Sequence, residues 1–567
     1  MAMLPQSARS FALISAVPNS KVITRLAYFL VPLMLGLLSL GLGQDDNWDL
    51  KNYHLYNAFA FLNGKIGFDL APAQWQSYFN PTLDLVYYGL STSLPAPVAG
   101  LLMGILHGLN FLLVFGICRQ VLPAMTAPHR FGATMFLSLA AMLSPGFLAQ
   151  IGNSMGDNMT SLFVLGAVWL LLHNWQQLYA GASAVLYIVM GSGLIMGLGC
   201  GLKLTNATYA VALCLGLFML SGSLAMRTKL AFAFGVGVLA GIAISAGHWF
   251  ALMYHTFGNP LFPQFNNHFL APLAAPIGVG DTGWLPKNWS ERIFWPFIFA
   301  LNPRRVGELQ LRLWIWPVLY VGMLAFAARA IFIIDAHSND DAAALALRQR
   351  QRLLLTFVAA SYLVWLSLFS IYRYLVPIEL LAPLAVWLIA AHVLPSPWSS
   401  RIAIVIISLC VIAGIPRASW GHAGWTRDAF TAAVPVLADP RESMVLTVHG
   451  DPPLGWLVTR FPATLAFVAI GSGFPESAAF VAKVKQMARA RTGPLFAMMQ
   501  ADRADPAAPR SAAQLQSAAD ENRATVKRAS ELVGQYGFKL DPASCTMYQA
   551  AAGTSRWNYQ LCTLTLN

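Results

Sequence analysis

The apolar and polar positions divide the chain into two unlike parts. Through residue 415, long apolar runs alternate with short polar joins, and each run approaches the roughly 20 residues that cross a bilayer as a helix. The runs predict spans at 24–43, 92–117, 130–149, 158–173, 184–201, 204–221, 230–250, 312–334, 353–370, 375–394 and 401–415. The pair 184–221 is one nearly unbroken apolar stretch whose main interruption is GLKLTN at 201–206. Such a stretch most simply breaks at its polar point, which puts Lys203 at an end of the bundle.

The pattern changes from residue 416. Strand-like runs Ser443–Val448, Ala463–Ile470 and Pro494–Met499 alternate with helix-like ones near 452–460, 475–491 and 512–534. That alternation predicts a small α/β layer. The expected architecture is therefore a mostly α, polytopic bundle of about eleven spans in residues 1–415, followed by a separate, soluble α/β domain in 416–567. The tail ends in an expected hairpin, because Cys545 and Cys562 lie equally far from the Gly553-Thr554 turn. A disulfide there would require an oxidising compartment. Cys118, Cys200, Cys214 and Cys410 fall in or beside spans and read as small core residues.

Composition agrees with a membrane protein. The 567 residues are 57% hydrophobic and only 11% charged, with a mean hydropathy of +0.57. Soluble domains carry roughly a quarter charged residues. The net charge of +12 reports topology rather than nucleic acid, since much of it sits in short joins and no basic run is interleaved with aromatics. Leu26–Gly43 is too long for a signal-peptide core and runs into Gln-Asp-Asp, so it reads as a retained first span.

Lys21, Arg25, Arg119, Arg130, Arg227, Lys229, Arg348, Arg350, Arg352 and Arg401 all fall on one side, which the positive-inside rule makes the cytoplasm. The other side receives the first loop 44–91, the Gly152–Asp157 turn, Lys203, the long loop 251–311, the Tyr372–Tyr374 turn and the tail. Arg304, Arg305 and Arg312 lie there against the rule, which suggests an anionic partner or an internal ion pair. Thr256–His268, TFGNPLFPQFNNH, reads as a rigid irregular loop at the membrane interface. The connector Asp335–Arg352 carries only topology.

The outer side also holds the chemistry. Read as a helix from Asp45, the residues Asp45, Asp46, Asp49, Asn52, Tyr53 and Tyr56 share one face, with His54 on its flank. A dipole-favoured helix start accounts for one acid but not three. Carboxylates together with Lys203, Arg304, Arg305 and Arg373 suggest displacement of a phosphate leaving group by a hydroxyl. A carboxylate would take the proton while cations neutralise the departing phosphate. A membrane site implies that a lipid carries this phosphate.

At these residues the chain resembles the polyprenol-phosphate-sugar-dependent glycosyltransferases of the GT-C superfamily. WDLKNYHLYNAFAFLNGK at Trp48–Lys65 resembles their opening loop through Asp49, Tyr53, His54 and Gly64. IYRYLVPIELL at Ile371–Leu381 resembles their late Arg-Tyr-Leu-Pro segment, and GLKLTN their Gly/Lys turn. The resemblance implies an inverting transfer of a sugar from a polyprenyl-phosphate donor to a hydroxyl of a lipid, glycan or protein. It places the enzyme in the bacterial inner membrane with its active site facing the periplasm. Asp49 would be the general base, with Asp46 and then Asp45 as alternatives. Lys203, Arg373, Arg304, Arg305 and His54 would hold the donor phosphate, and Asp157 with Tyr53 would orient the acceptor. The oxygens of Asp45, Asp46 and Asp157 leave room for a divalent cation, Mg or Mn, which many relatives do without. A transporter or flippase of a lipid-linked or anionic substrate could use the same acids and bases. Internal repeats and broken midplane helices would favour it, and neither is visible. A scaffold presenting its C-terminal domain would leave the loop acids unexplained.

Overall fold

The computed structural model describes residues 20–123, 125–179, 184–332, 342–416, 418–504 and 509–567. The start of the Asp335–Arg352 connector and the end of the 312–334 span lie outside them. A helix covers most of every expected span. Among the described residues, Lys21–Leu42, Ala96–Val121, Ala184–Leu202, Leu224–Phe257 and Ala343–Leu368 are long and apolar enough to cross a membrane alone. Tyr372–Glu379 and Ala382–Val393 form a sixth candidate, bent by 55° at its break. Asp157–His173, Leu204–Leu217, Ile315–Arg329 and Trp398–Gly414 are shorter apolar helices. The protein is therefore a mostly helical, multi-pass membrane protein with a small strand-containing C-terminal part. Within the long loop, Trp289–Leu301 is helical.

Close helix packing sets where the bundle places Lys203. Ala184–Leu202 packs on Leu224–Phe257 at backbone contact: a Cβ on Gly197 would lie 2.1 Å from the Val238 carbonyl oxygen, and one on Gly241 2.3 Å from that of Leu194. Small residues four apart on both partners permit this approach. The first helix then ends at Leu202, and a 3-10 turn, Leu204–Asn206, leads into Ala207–Leu217. Lys203 is the hinge between them. At the opposite end of the bundle Arg130 donates to the Arg119 carbonyl at 2.6 Å and Arg350 to that of Gln120 at 3.2 Å, so three of the basic residues expected on one side lie together.

The C-terminal sheet comprises β1 (Met444–Val448), β2 (Ala466–Ile470), β3 (Leu495–Gln500), β4 (Phe538–Leu540), β5 (Thr546–Tyr548) and β6 (Tyr559–Leu566). Its order is β2-β1-β3-β6-β4, with β5 also pairing β6. The strands β1, β2 and β3 are parallel, while β6 runs antiparallel to its neighbours. Leu561 faces Thr546 in the ladder, so Cys562 and Cys545 come next in register, and they are disulfide-bonded.

The tail packs directly against the first loop. A parallel sheet needs both faces covered. One face, with Met444, Leu446, Val468 and Ile470, packs on Phe480, Val484, Ala529 and Val533 of the tail's own helices. The other, with Val445, Phe467 and Met498, packs on Leu50, Tyr53, Tyr56 and Phe59 of the first loop. Leu70 extends β2 by two hydrogen bonds of 2.9 Å, to the carbonyl of Phe467 and from the amide of Ala469. The interface-loop reading of Thr256–His268 also changes, because Phe262 is buried against Tyr78, Phe257 and Phe474.

One buried ion pair pins loop to sheet. Lys65 Nζ lies 3.3 Å from Asp69 Oδ1 and donates to the carbonyls of Ala463 and Leu465 at 2.9 and 2.7 Å. Asp69 accepts from the Phe467 amide at 2.8 Å and from Tyr56 at 3.1 Å. Burial pushes its carboxyl up to about 6 against the pull of Lys65. Removing one partner strands the other charge, so Lys65→Met is expected to lower stability by about 3–5 kcal/mol. Thermal unfolding of the detergent-solubilised protein measures this, and an unchanged midpoint would show that the pair does not fasten the two parts.

Candidate functional site

The first loop turns into its helix through local polar contacts. Asp45 is not on that helix: Gln44–Asp45 forms a short antiparallel ladder with His422–Ala423. Asp45 accepts from the Asn47 side chain at 2.7 Å and from the Ser154 amide at 2.7 Å, which ties the loop to the Gly152–Asp157 turn. Asn47 in turn accepts from the Leu50 amide at 2.7 Å.

Helical backbone begins at Trp48 and includes a π turn, Leu50–His54. In an α-helix position i+5 lies about 140° round from i, whereas the wider π turn carries it back toward the starting face. Asp49, Tyr53 and His54 consequently line one cavity of about 250 Å³. The turn is held from behind, where a Cβ on Gly455 would sit 1.9 Å from the Asn52 carbonyl oxygen.

The same cavity is lined by Lys203, from the hinge between helices, and by Arg373, from the 3-10 turn Tyr372–Leu375. Each cation meets a carboxylate. Arg373 Nη1 bonds Asp49 Oδ2, which also accepts from Tyr53 at 3.2 Å. Lys203 Nζ lies 2.5 Å from Asp157 Oδ1 and donates to the Met155 carbonyl at 2.7 Å. The Tyr374 ring lies near both cations, its centroid 5.4 Å from Lys203 Nζ and 5.2 Å from Arg373 Cζ. Burial raises the Asp49 carboxyl, but Arg373, His54 and Lys203 together outweigh burial and hold it below the usual carboxylate range.

Asp84 completes the wall. His54 Nδ1 lies 2.6 Å from Asp84 Oδ1, and His54 Nε2 has no hydrogen-bond partner among the described residues. Burial pushes Asp84 up, partly offset by His54. Thirty residues separate this pair, so no helical spacing could reveal it. Asn80 was equally hidden; it donates to the carbonyls of Gly201 and Ser245 at 2.9 Å and docks the first loop on the Lys203 hinge.

Four expected site residues lie elsewhere. Asp46 bonds Lys51 at 2.7 Å, and Lys51 stacks over Trp557 of the tail at 3.9 Å. Asp45 is taken up by Asn47 and Ser154. Arg305 forms a two-bond pair with Glu291 at 3.1 and 2.8 Å, and Arg304 is exposed; neither lines the cavity. The duller reading of those arginines, an internal ion pair, describes Arg305. Asp45, Asp46 and Asp157, whose oxygens leave room for Mg or Mn, are each engaged by a separate partner. No group of three His, Cys, Asp or Glu suited to a metal occurs among the described residues.

No protein-family model matches the chain, and no curated protein matches it. Among solved structures, ArnT from Cupriavidus metallidurans bound to undecaprenyl phosphate is similar, with a TM-score of 0.44 and 14% identity over 96% of this chain and 98% of that one. Its apo state gives 0.41 and 15% over the same shares.

Proposed function

We propose that the protein is a membrane glycosyltransferase that moves a sugar from a polyprenyl-phosphate donor to a hydroxyl acceptor in this cavity, on the periplasmic side of a bacterial inner membrane. The observation that carries the reading is the pairing of both buried cations, Lys203 and Arg373, with carboxylates in one cavity. Apolar side chains such as Leu204, Trp249, Phe250 and Phe369 line the same space, as the lipid end of the donor requires.

The chemistry rests on competition for the cations. A donor phosphate binds Arg373 and Lys203 and so weakens the hold of Arg373 on Asp49. The Asp49 carboxylate then gains proton affinity beside the acceptor. The acceptor oxygen attacks the anomeric carbon on the face opposite the phosphate and its proton passes to Asp49. The carbon–oxygen bond to phosphate breaks, and polyprenyl phosphate leaves with its charge met by the two cations. Tyr53 keeps Asp49 oriented, and Asp84 orients His54 so that Nε2 faces the donor phosphate.

A radiolabelled-sugar assay with polyprenyl-phosphate donor tests this. Lys203→Ala is expected to weaken donor binding by about 10–100-fold, the worth of a charge-assisted contact of roughly 1.5–3 kcal/mol. Unchanged donor affinity would remove Lys203 from the site. Asp84→Asn should raise the donor KM more than it lowers kcat, and an effect on thermal stability alone would reduce the His54–Asp84 pair to packing.

A further inference from the structure

A second crevice lies in the C-terminal part, away from Lys203 and Arg373. The chain leaves β1 to form β2 on one side and then crosses back to form β3 on the other. Loops after parallel strands part at such a reversal, and open α/β sheets bind ligands in the gap beyond the strands' carboxyl ends. Here the gap is lined by Val448 at the end of β1, Gly471 after β2 and Gln500 at the end of β3, with Thr525 and Arg528 from the helix Ala512–Gln535.

Three features mark it as more than a seam. His449 holds a left-handed backbone at φ 67°, a conformation that side-chain-bearing residues seldom adopt without a local reason. Its Nε2 is buried without a hydrogen-bond partner among the described residues. Arg528 supplies a guanidinium whose only contact with a side chain among the described hydrogen bonds is Thr525 Oγ1 at 3.1 Å. Asp451, also in the lining, offers a carboxylate already steadied by the Trp48 indole at 3.1 Å. A guanidinium with an imidazole suits an anionic group, while the carboxylate, amide and hydroxyl of Asp451, Gln500 and Thr525 suit vicinal hydroxyls.

We propose that this crevice is a binding site for a hydroxylated anion, a sugar carrying a phosphate or a carboxylate, held by Arg528 and His449 and read by Asp451. Its walls touch the first loop at two points. Trp48 precedes Asp49, and Gln74, which donates to the Gly450 carbonyl at 2.8 Å, precedes Trp75 and Gln76 of the larger cavity. The site stands whether or not the larger cavity transfers sugar.

Calorimetric titration of the full-length protein in detergent with glucose 1-phosphate and with glucuronate is the test, with glucose and inorganic phosphate as comparisons. Saturable binding of one of the sugar anions, tighter by about tenfold than that of glucose or phosphate, is expected and identifies which anionic group is preferred. Arg528→Ala and His449→Gln should each weaken it by about tenfold or more, as loss of one charge-assisted bond does. The double variant Arg373→Ala with Asp49→Asn, which removes the donor cavity's guanidinium without stranding a carboxylate, should still bind the sugar anion, which separates this site from the donor cavity. Absence of saturation with both sugar anions overturns the proposal. So does binding that survives Arg528→Ala and His449→Gln.

Discussion

Asp49→Asn is expected to lower sugar transfer by about 10²–10⁴-fold, the range that a positioned general base contributes. Asparagine keeps the shape and one oxygen able to accept from Arg373, so the protein should still fold and still bind the donor. The loss should fall on kcat, with donor affinity kept or raised, because the carboxylate that competes for Arg373 is gone. Because Arg373 holds the carboxyl below its usual range, Asp49 stays ionised in the free protein as pH falls toward about 5, and kcat/KM should show no acid limb from it there. When donor phosphate shares Arg373, the carboxyl regains proton affinity, and the acid limb of kcat should lie at higher pH than that of kcat/KM. Stability has the same sign: a depressed carboxyl stabilises the fold above its unfolded value and loses that contribution as pH falls through its folded one. Wild-type turnover in Asp49→Asn would end the base assignment, and identical limbs in both profiles would end the competition for Arg373.

The second large effect concerns Arg373 itself. Arg373→Ala removes both the donor's counter-charge and the partner of a buried carboxylate, so transfer should drop by about 10²–10³-fold, as loss of one preorganised donor to a developing anion does. It also strands Asp49, with an expected stability loss of about 3–5 kcal/mol. The two losses are separable. Pairing Arg373→Ala with Asp49→Asn removes the stranded charge and should recover stability without recovering transfer, whereas a stable double variant with restored transfer would reduce the pair to a structural bridge. Arg373→Lys keeps the charge but not the fork, and an intermediate rate would show that two-point contact matters.

The helices and the strands were legible in the chain because each announces itself through a local period, about 3.6 residues or two. The break at Lys203 was legible for the same reason, as a polar point inside one apolar run. Asp49 with Tyr53, four residues on, needed only one turn of helix to meet. Asp45 and Asp46 misled because one-face spacing assumes helix from Asp45, whereas a ladder with His422–Ala423 holds the backbone extended there and the helix starts three residues later. Arg304 and Arg305 were chosen by side of membrane alone, which says nothing of depth.

What the sequence determined by itself is the solvent each segment prefers: lipid for the apolar runs, a two-sided core for β1 and β2, water for the charged joins. Which loop covers which sheet face, and which carboxylate meets which cation, was decided only by tertiary structure. Pairs such as Asp49–Arg373, Asp157–Lys203 and His54–Asp84 lie on different segments, and no short-range period links their partners. Once buried, each charge must find an opposite one, and the packing of the first loop between bundle and sheet determines which is within reach.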